Sequence, residues 1–220
     1  MRDRGAEAVI FDLDGVLIDS EQVWDDVREQ LARERGGRYT AQSQRDMMGM
    51  SSPEWSRYMH DVVGLPESPD EINREVVERM LARYAEGPPW IAGALDAVRR
   101  LADRWPLALA SSSNREVIDV VLAAGDISGC FRATVSSEEV ARGKPAPDVY
   151  LEAARRLGID PACCTAIEDS HNGIRAAKAA GMRCVAVPNA HYPPGAVAAE
   201  ADIVVASVSD VDDETVRGNG

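Results

Sequence analysis

Six short apolar runs punctuate this chain: AVIFDL at 8–13, LALASS at 107–112, ATVSS at 133–137, CTAIED at 164–169, CVAVP at 184–188 and DIVVA at 202–206. Their hydrophobicity is continuous rather than alternating, the pattern of strands buried on both faces. Helix-patterned segments lie between them. Asn114 stands where it would cap a helix whose Val117, Ile118, Val121 and Leu122 form one stripe before Gly125. Pro147 opens another, with Tyr150, Leu151, Ala154 and Leu157 inward and Gly158 at its end. Strand and helix in alternation predict an α/β fold with a central parallel sheet and right-handed crossovers.

The interval from Ser20 to Pro89 breaks this rhythm. It holds no convincing strand but three helical stripes: Val23, Trp24, Val27 and Leu31; Trp55, Tyr58, Met59 and Val62; Ile72, Val76, Met80 and Tyr84. The prolines of GPPW at 87–90 make a stiff return linker. The expected organisation is thus a core from residues 1–19 and 90–220 with a helical cap from 20–89, inserted where the first strand ends.

In a parallel sheet the carboxyl ends of the strands share one edge, and ligands bind in the crevice there. The first strand ends on Asp12 and Asp14, the second on Ser111, Ser112, Ser113 and Asn114, and the fourth on Glu168 and Asp169. The loop after the third carries Lys144 in RGKPAPD. Four carboxylates packed together repel, and binding a cation relieves that repulsion. All-oxygen ligands without histidine or thiolate favour Mg2+ over zinc, so Asp12, Asp14, Glu168 and Asp169 are the expected metal ligands. One ionised Asp can attack phosphorus without a base, and a second, two residues on along an extended chain, can handle the leaving-group proton. Ser111 would donate to a phosphoryl oxygen and Lys144 would offset negative charge. Gly15 permits a sharp turn just past the acids.

Composition narrows the partners. The chain has 220 residues, 45% of them hydrophobic, and a formal net charge of −13. That charge repels nucleic acid and anionic membrane at long range, whereas a small phosphorylated metabolite can still bind through local donors and a metal ion. Cys130, Cys163, Cys164 and Cys184 lack the CxxC spacing of a zinc or redox site and read as buried thiols. MRDRGAEAV carries no apolar stretch of signal-peptide length, which predicts a cytoplasmic protein. His60, His171 and His191 are isolated and read as surface or packing groups, and DDETVRGNG reads as a frayed polar tail.

With these residues in view, DLDGVLIDS, the Ser of LASSSN, GKPAPD and AIEDSHNGIRAAKAAGM resemble, in order, the four motifs of the haloacid dehalogenase-like hydrolases, in the subgroup with a helical cap after the first motif. The resemblance spans nearly the whole chain. It implies a Rossmann-like core, Mg2+, Asp12 as nucleophile and Asp14 as acid and base. It also implies Ser111 and Lys144 at the phosphoryl group, and Asp169 with Glu168, directly or through water, at the metal. The dehalogenase branch itself needs neither the second acid nor the metal-binding acids. In the family the loop between two cap helices, here Gly49, Met50 and Ser51, faces the active site, and Ser112 and Asn114 join it as candidate substrate contacts. Trp24, Trp55 and Tyr58 read as cap core rather than as a binding platform.

The expected activity is Mg2+-dependent hydrolysis of a small phosphomonoester through an aspartyl phosphate, by a monomer or weak homodimer. A β-phosphoglucomutase-like isomerase resembles the chain over the same length. Trp24, however, occupies the position that looks like the mutases' proton-handling histidine, and Ser52 the place of an arginine expected after the GMS loop. A receiver-like domain and a catalytically inert binder are the non-enzymatic alternatives. Sugar phosphates, phosphoglycolate and nucleotide monophosphates all remain open as substrates.

Overall fold

The computed structural model describes residues 5–189 and 195–218. His191 lies outside the described residues. Six strands form one parallel sheet in the order β3-β2-β1-β4-β5-β6: β1 Ala8–Phe11, β2 Leu107–Ser111, β3 Phe131–Ser136, β4 Cys164–Glu168, β5 Arg183–Ala186 and β6 Ile203–Val204. Each expected run overlaps its strand, with ends displaced by a few residues. Strand order reverses beside β1, so the loops after β1, β2 and β4 open onto one crevice.

The continuous apolar runs are two alternating patterns superposed. On one face, Val9, Phe11, Leu107, Leu109, Ile167 and Val185 pack in a core of large side chains. On the other, Ala8, Ile10, Ala108, Ala110, Ala133 and Ala166 meet Tyr150, Ala153, Ala154, Ala176 and Ala177 of α7 (Asp148–Leu157) and α8 (His171–Ala179). The small side chains let those helices approach the sheet closely.

Four helices fill the expected insertion: α1 Glu21–Arg35, α2 Ala41–Met47, α3 Ser52–Tyr58 and α4 Pro69–Tyr84. The chain leaves and returns side by side, with Asp19 N–H donating to Pro89 C=O at 2.8 Å and Ile91 N–H to Leu17 C=O at 3.0 Å. Helices α5 (Ala94–Ala102) and α6 (Arg115–Ala124) follow β1 and β2 in the core. No described helix is long and apolar enough to cross a membrane.

Several local expectations need correcting. Leu151 is 40% exposed and Val149 and Ala153 face inward instead, because α7 begins at Asp148 and its turn sets 149, 150, 153 and 154 on one side. Val62 is 62% exposed, since Met59–Val63 forms a wider π-turn that swings Val62 out and Val63 in. Asn114 does precede α6, but its side chain does not cap it; Glu138 Oε2 accepts from Arg115 N–H at 2.9 Å instead. The expected frayed tail instead holds a helix, Asp213–Arg217 (α9), capped by Asp212, which accepts from Thr215 N–H at 2.8 Å; Asn219 and Gly220 lie outside the described residues.

Candidate active site

β1 ends at Phe11, and Asp12 continues its line by donating its N–H to Ile167 C=O at 3.0 Å. The backbone then turns sharply. Leu17 N–H donates to Leu13 C=O at 2.9 Å and Gly15 N–H to Ile18 C=O at 2.7 Å. Asp14 therefore lies in a turn, not two residues along an extended strand as expected, yet it lines the same cleft as Asp12. Gly15 has φ +77°, and a Cβ there would fall 1.9 Å from Asp169 Oδ2. The glycine serves both the left-handed turn and the approach of Asp169.

Asp12, Lys144, Glu168 and Asp169 form a buried cluster. Lys144 Nζ stands 2.9 Å from Asp12 Oδ1 and 2.6 Å from Glu168 Oε1. Burial opposes the charge of Lys144, but the carboxylates of Asp12 and Glu168 outweigh it and hold its pKa above the usual range. Burial first, and then repulsion from Glu168, pushes Asp12 and Asp169 well above ordinary carboxylic acids. One ammonium thus faces three carboxylates, and a cation would relieve the excess.

The donor set fits a hard divalent ion. Asp12, Glu168 and Asp169 each offer an oxygen, and these lie within 4.8 Å of one another. Asp14, expected as a fourth ligand, does not join them. Its Oδ1 accepts from Ser20 Oγ at 2.5 Å and Trp24 Nε1 at 3.1 Å, and its Oδ2 from Ser113 Oγ at 2.6 Å and Ser111 Oγ at 3.3 Å. Glu168 is itself heavily committed. Lys144 and Tyr150 donate to Oε1, while Asp169 N–H, Ser170 N–H and Ser170 Oγ donate to Oε2. Its two oxygens hold Lys144 and the Asp169 loop in place. Gly173 makes room for it, since a Cβ there would fall 1.8 Å from Glu168 Oε1.

The other expected contacts divide. Gly49, Met50 and Ser112 line the cleft, and Ser112 Oγ is buried without a hydrogen-bond partner. Ser51 and Asn114 do not line it. Ser51 Oγ donates to Glu54 Oε2 at 2.5 Å in the capping box of α3. Asn114 accepts from Ser52 at 2.8 Å and donates to Asn73 at 3.1 Å and Glu138 at 2.7 Å, which ties the core to α3 and α4. Trp24 and Trp55 are buried, as expected of cap core, but they also wall the cleft.

Three residues were missed. Tyr150 was counted only for its apolar ring, although its hydroxyl donates to Glu168 at 2.7 Å. Glu21 and Arg28 of α1 also line the cleft. Burial and then the charge of Asp14 raise Glu21 to about 7. The signal lay in the spacing: Glu21, Trp24 and Arg28 are three and four residues apart and share a helix face.

A family model of the haloacid dehalogenase-like hydrolases matches residues 6–181. The chain belongs to that family. It is 37% identical over 191 residues to hexitol phosphatase B of Escherichia coli, covering 82% of this chain and 83% of that protein. Among solved structures, CbbY from Rhodobacter sphaeroides, in complex with xylulose-(1,5)-bisphosphate, superposes with a TM-score of 0.81 at 26% identity, over 93% of this chain and 96% of that one. A β-phosphoglucomutase from Clostridium difficile gives 0.81 at 25% identity, over 95% and 94%. The chain is a hydrolase of this family, and the activity named for its 37%-identical relative is that of a phosphoric monoester hydrolase.

Gly15→Ala tests the Asp169 cradle. The methyl group would displace the Asp169 carboxylate, so the Mg2+ concentration for half-maximal activity should rise by about tenfold or more, within the range found when groups behind a metal ligand are altered. Metal titration of activity, with thermal unfolding alongside, reads the effect; an unchanged titration would show that Asp169 has no part in holding metal.

Proposed function

We propose that this chain is a Mg2+-dependent phosphatase of a small phosphorylated sugar or related metabolite, working through an aspartyl phosphate on Asp12. The observation that carries the reading is the placement of Asp12, Asp14, Lys144 and Asp169 around one cleft walled by α1 and the loop after α2. An Asp12 oxygen attacks phosphorus, the bond to the leaving oxygen breaks, and Asp14 gives that oxygen a proton. Asp14 then takes a proton from water, whose oxygen attacks the acyl phosphate, releases phosphate and restores Asp12. Lys144 offsets charge on Asp12 and on the transferred group. Asp12 and Asp169 would hold Mg2+, which when bound supplies positive charge against the phosphoryl oxygens.

The four donors around Asp14 give the cap a role. Ser20 and Trp24 come from its side, Ser111 and Ser113 from the core, so seating the cap orients the proton-transfer group while it shields the cleft from water. We place the hinge near Asp19 to Glu21 and Gly87 to Pro89, and the moving unit at 20–89. Activity should vanish in excess chelator and return with Mg2+. Asp169→Ala should weaken metal binding more than it lowers thermal stability. Full activity in chelator would overturn the metal assignment, and a lack of multiple turnovers would indicate an inert binder.

The mutase reading has support from the β-phosphoglucomutase neighbour, but Trp24 weighs against it. Its indole N–H donates to Asp14 Oδ1 and has no lone pair with which to take a sugar hydroxyl's proton. Ser52 is buried against Asn114 rather than in the cleft. With β-glucose 1-phosphate and a catalytic amount of the bisphosphate, the expected product is inorganic phosphate. Rapid formation of glucose 6-phosphate with little phosphate release would establish the mutase instead.

A further inference from the structure

Arg28 lines the cleft but has no part in the phosphoryl chemistry. It is only 8% exposed. Its guanidinium carbon lies 5.0 Å from the centroid of Trp24 and 4.8 Å from that of Trp55, so two indoles share its charge. Its Nε is buried with no hydrogen-bond partner. Burying a guanidinium with an unmade hydrogen bond is unfavourable, and cation–π contacts satisfy no N–H. Glu21, two turns earlier on the same face of α1, lines the same cleft, and its charge acts on Arg28.

We propose that Arg28 and Glu21 form a hydroxyl-reading pair that receives the polyhydroxylated, uncharged end of a phosphorylated sugar or sugar alcohol. The proposal deepens the phosphatase reading and rests on it. A hydroxyl both accepts and donates, so neighbouring hydroxyls can accept from the N–H groups of Arg28 and donate hydrogen bonds to the Glu21 carboxylate. An apolar tail would leave the Arg28 Nε unpaired. A second phosphate or carboxylate would meet the charge of Glu21 in a cleft that already holds Asp12, Asp14 and Asp169. Trp24, Trp55 and Met50 offer apolar wall to the carbon skeleton.

The test compares the full chain with Arg28→Met, Arg28→Lys and Glu21→Gln on glucitol 6-phosphate, fructose 1,6-bisphosphate and p-nitrophenyl phosphate, with Mg2+. For Arg28→Met, kcat/KM on glucitol 6-phosphate should fall at least about tenfold further than on p-nitrophenyl phosphate, mainly through KM, as for a lost charged hydrogen bond. Arg28→Lys should recover part of that loss, which rules out a merely unfolded cap. The unaltered chain should prefer glucitol 6-phosphate to the bisphosphate. Equal losses on both probes, or a preference for the bisphosphate that Arg28→Met abolishes, would overturn the pair. Calorimetric binding of glucitol 6-phosphate to Asp12→Asn, with and without Arg28→Met, separates the two readings. Arg28-dependent binding without phosphate release from any probe in the unaltered chain would refute the phosphatase and leave the pair standing. Release without discrimination would refute the pair alone.

Discussion

Asp12→Asn should reduce phosphate release by about 10³-fold or more while leaving the protein folded. An amide oxygen cannot form the acyl phosphate. The substitution also removes one of three clustered carboxylates, and Lys144 keeps Glu168 as a partner at 2.6 Å, so no buried ammonium is left unpaired. Turnover assays and thermal unfolding check the two halves. Beryllium fluoride or a trapped intermediate should mark Asp12; marking of Asp14, with Asp12→Asn still active, would reverse the assignment.

Lys144→Met should be the most damaging single change to both stability and activity. The side chain is buried between Asp12 and Glu168 and packs over the Tyr150 ring, 5.1 Å from its centroid. Removing it strands two carboxylates without their cation, which costs about 3–5 kcal/mol when one partner of a buried pair is lost. Denaturant unfolding measures this. Adding Glu168→Gln should return part of the stability but not the activity, because the second change removes repulsion without restoring charge beside Asp12. A Lys144→Met protein as stable as the parent would show that the pair is not the tie described here.

The placement of the acids and the lysine was legible because it depends on local pattern. Asp12, Asp14, Lys144 and Asp169 each follow a recognisable strand or precede a helix, and a parallel sheet must bring such loops to one edge. Gly15 was legible as a turn, but not as the gap that admits Asp169. Ser51 and Asn114 show where this reasoning fails. Both stand in loops near the site, yet their polar groups are taken up by Glu54 in one case and by Ser52, Asn73 and Glu138 in the other. Proximity to a site in sequence does not tell which partner claims a side chain.

α1 makes the same point from the opposite side. Its apolar stripe is Val23, Trp24, Val27 and Leu31, and the stripe says nothing of the charged residues beside it. Arg28 is buried there, and its guanidinium lies over the rings of Trp24 in its own helix and of Trp55 on α3, a neighbour that the stripe does not name.

From the sequence alone came the parallel α/β core, the inserted helices and the identity of the acids and lysine at the strand ends, since periodicity and strand-end position are properties of short segments. Tertiary structure alone decided the partners. Trp24 bonds Asp14, Asn114 bonds Ser52 across 62 positions, and Glu168 gathers five donors from three segments. A hydrogen bond requires two atoms within about 3 Å at a suitable angle, and periodicity says which face a residue occupies, not which atom of a distant segment meets it there.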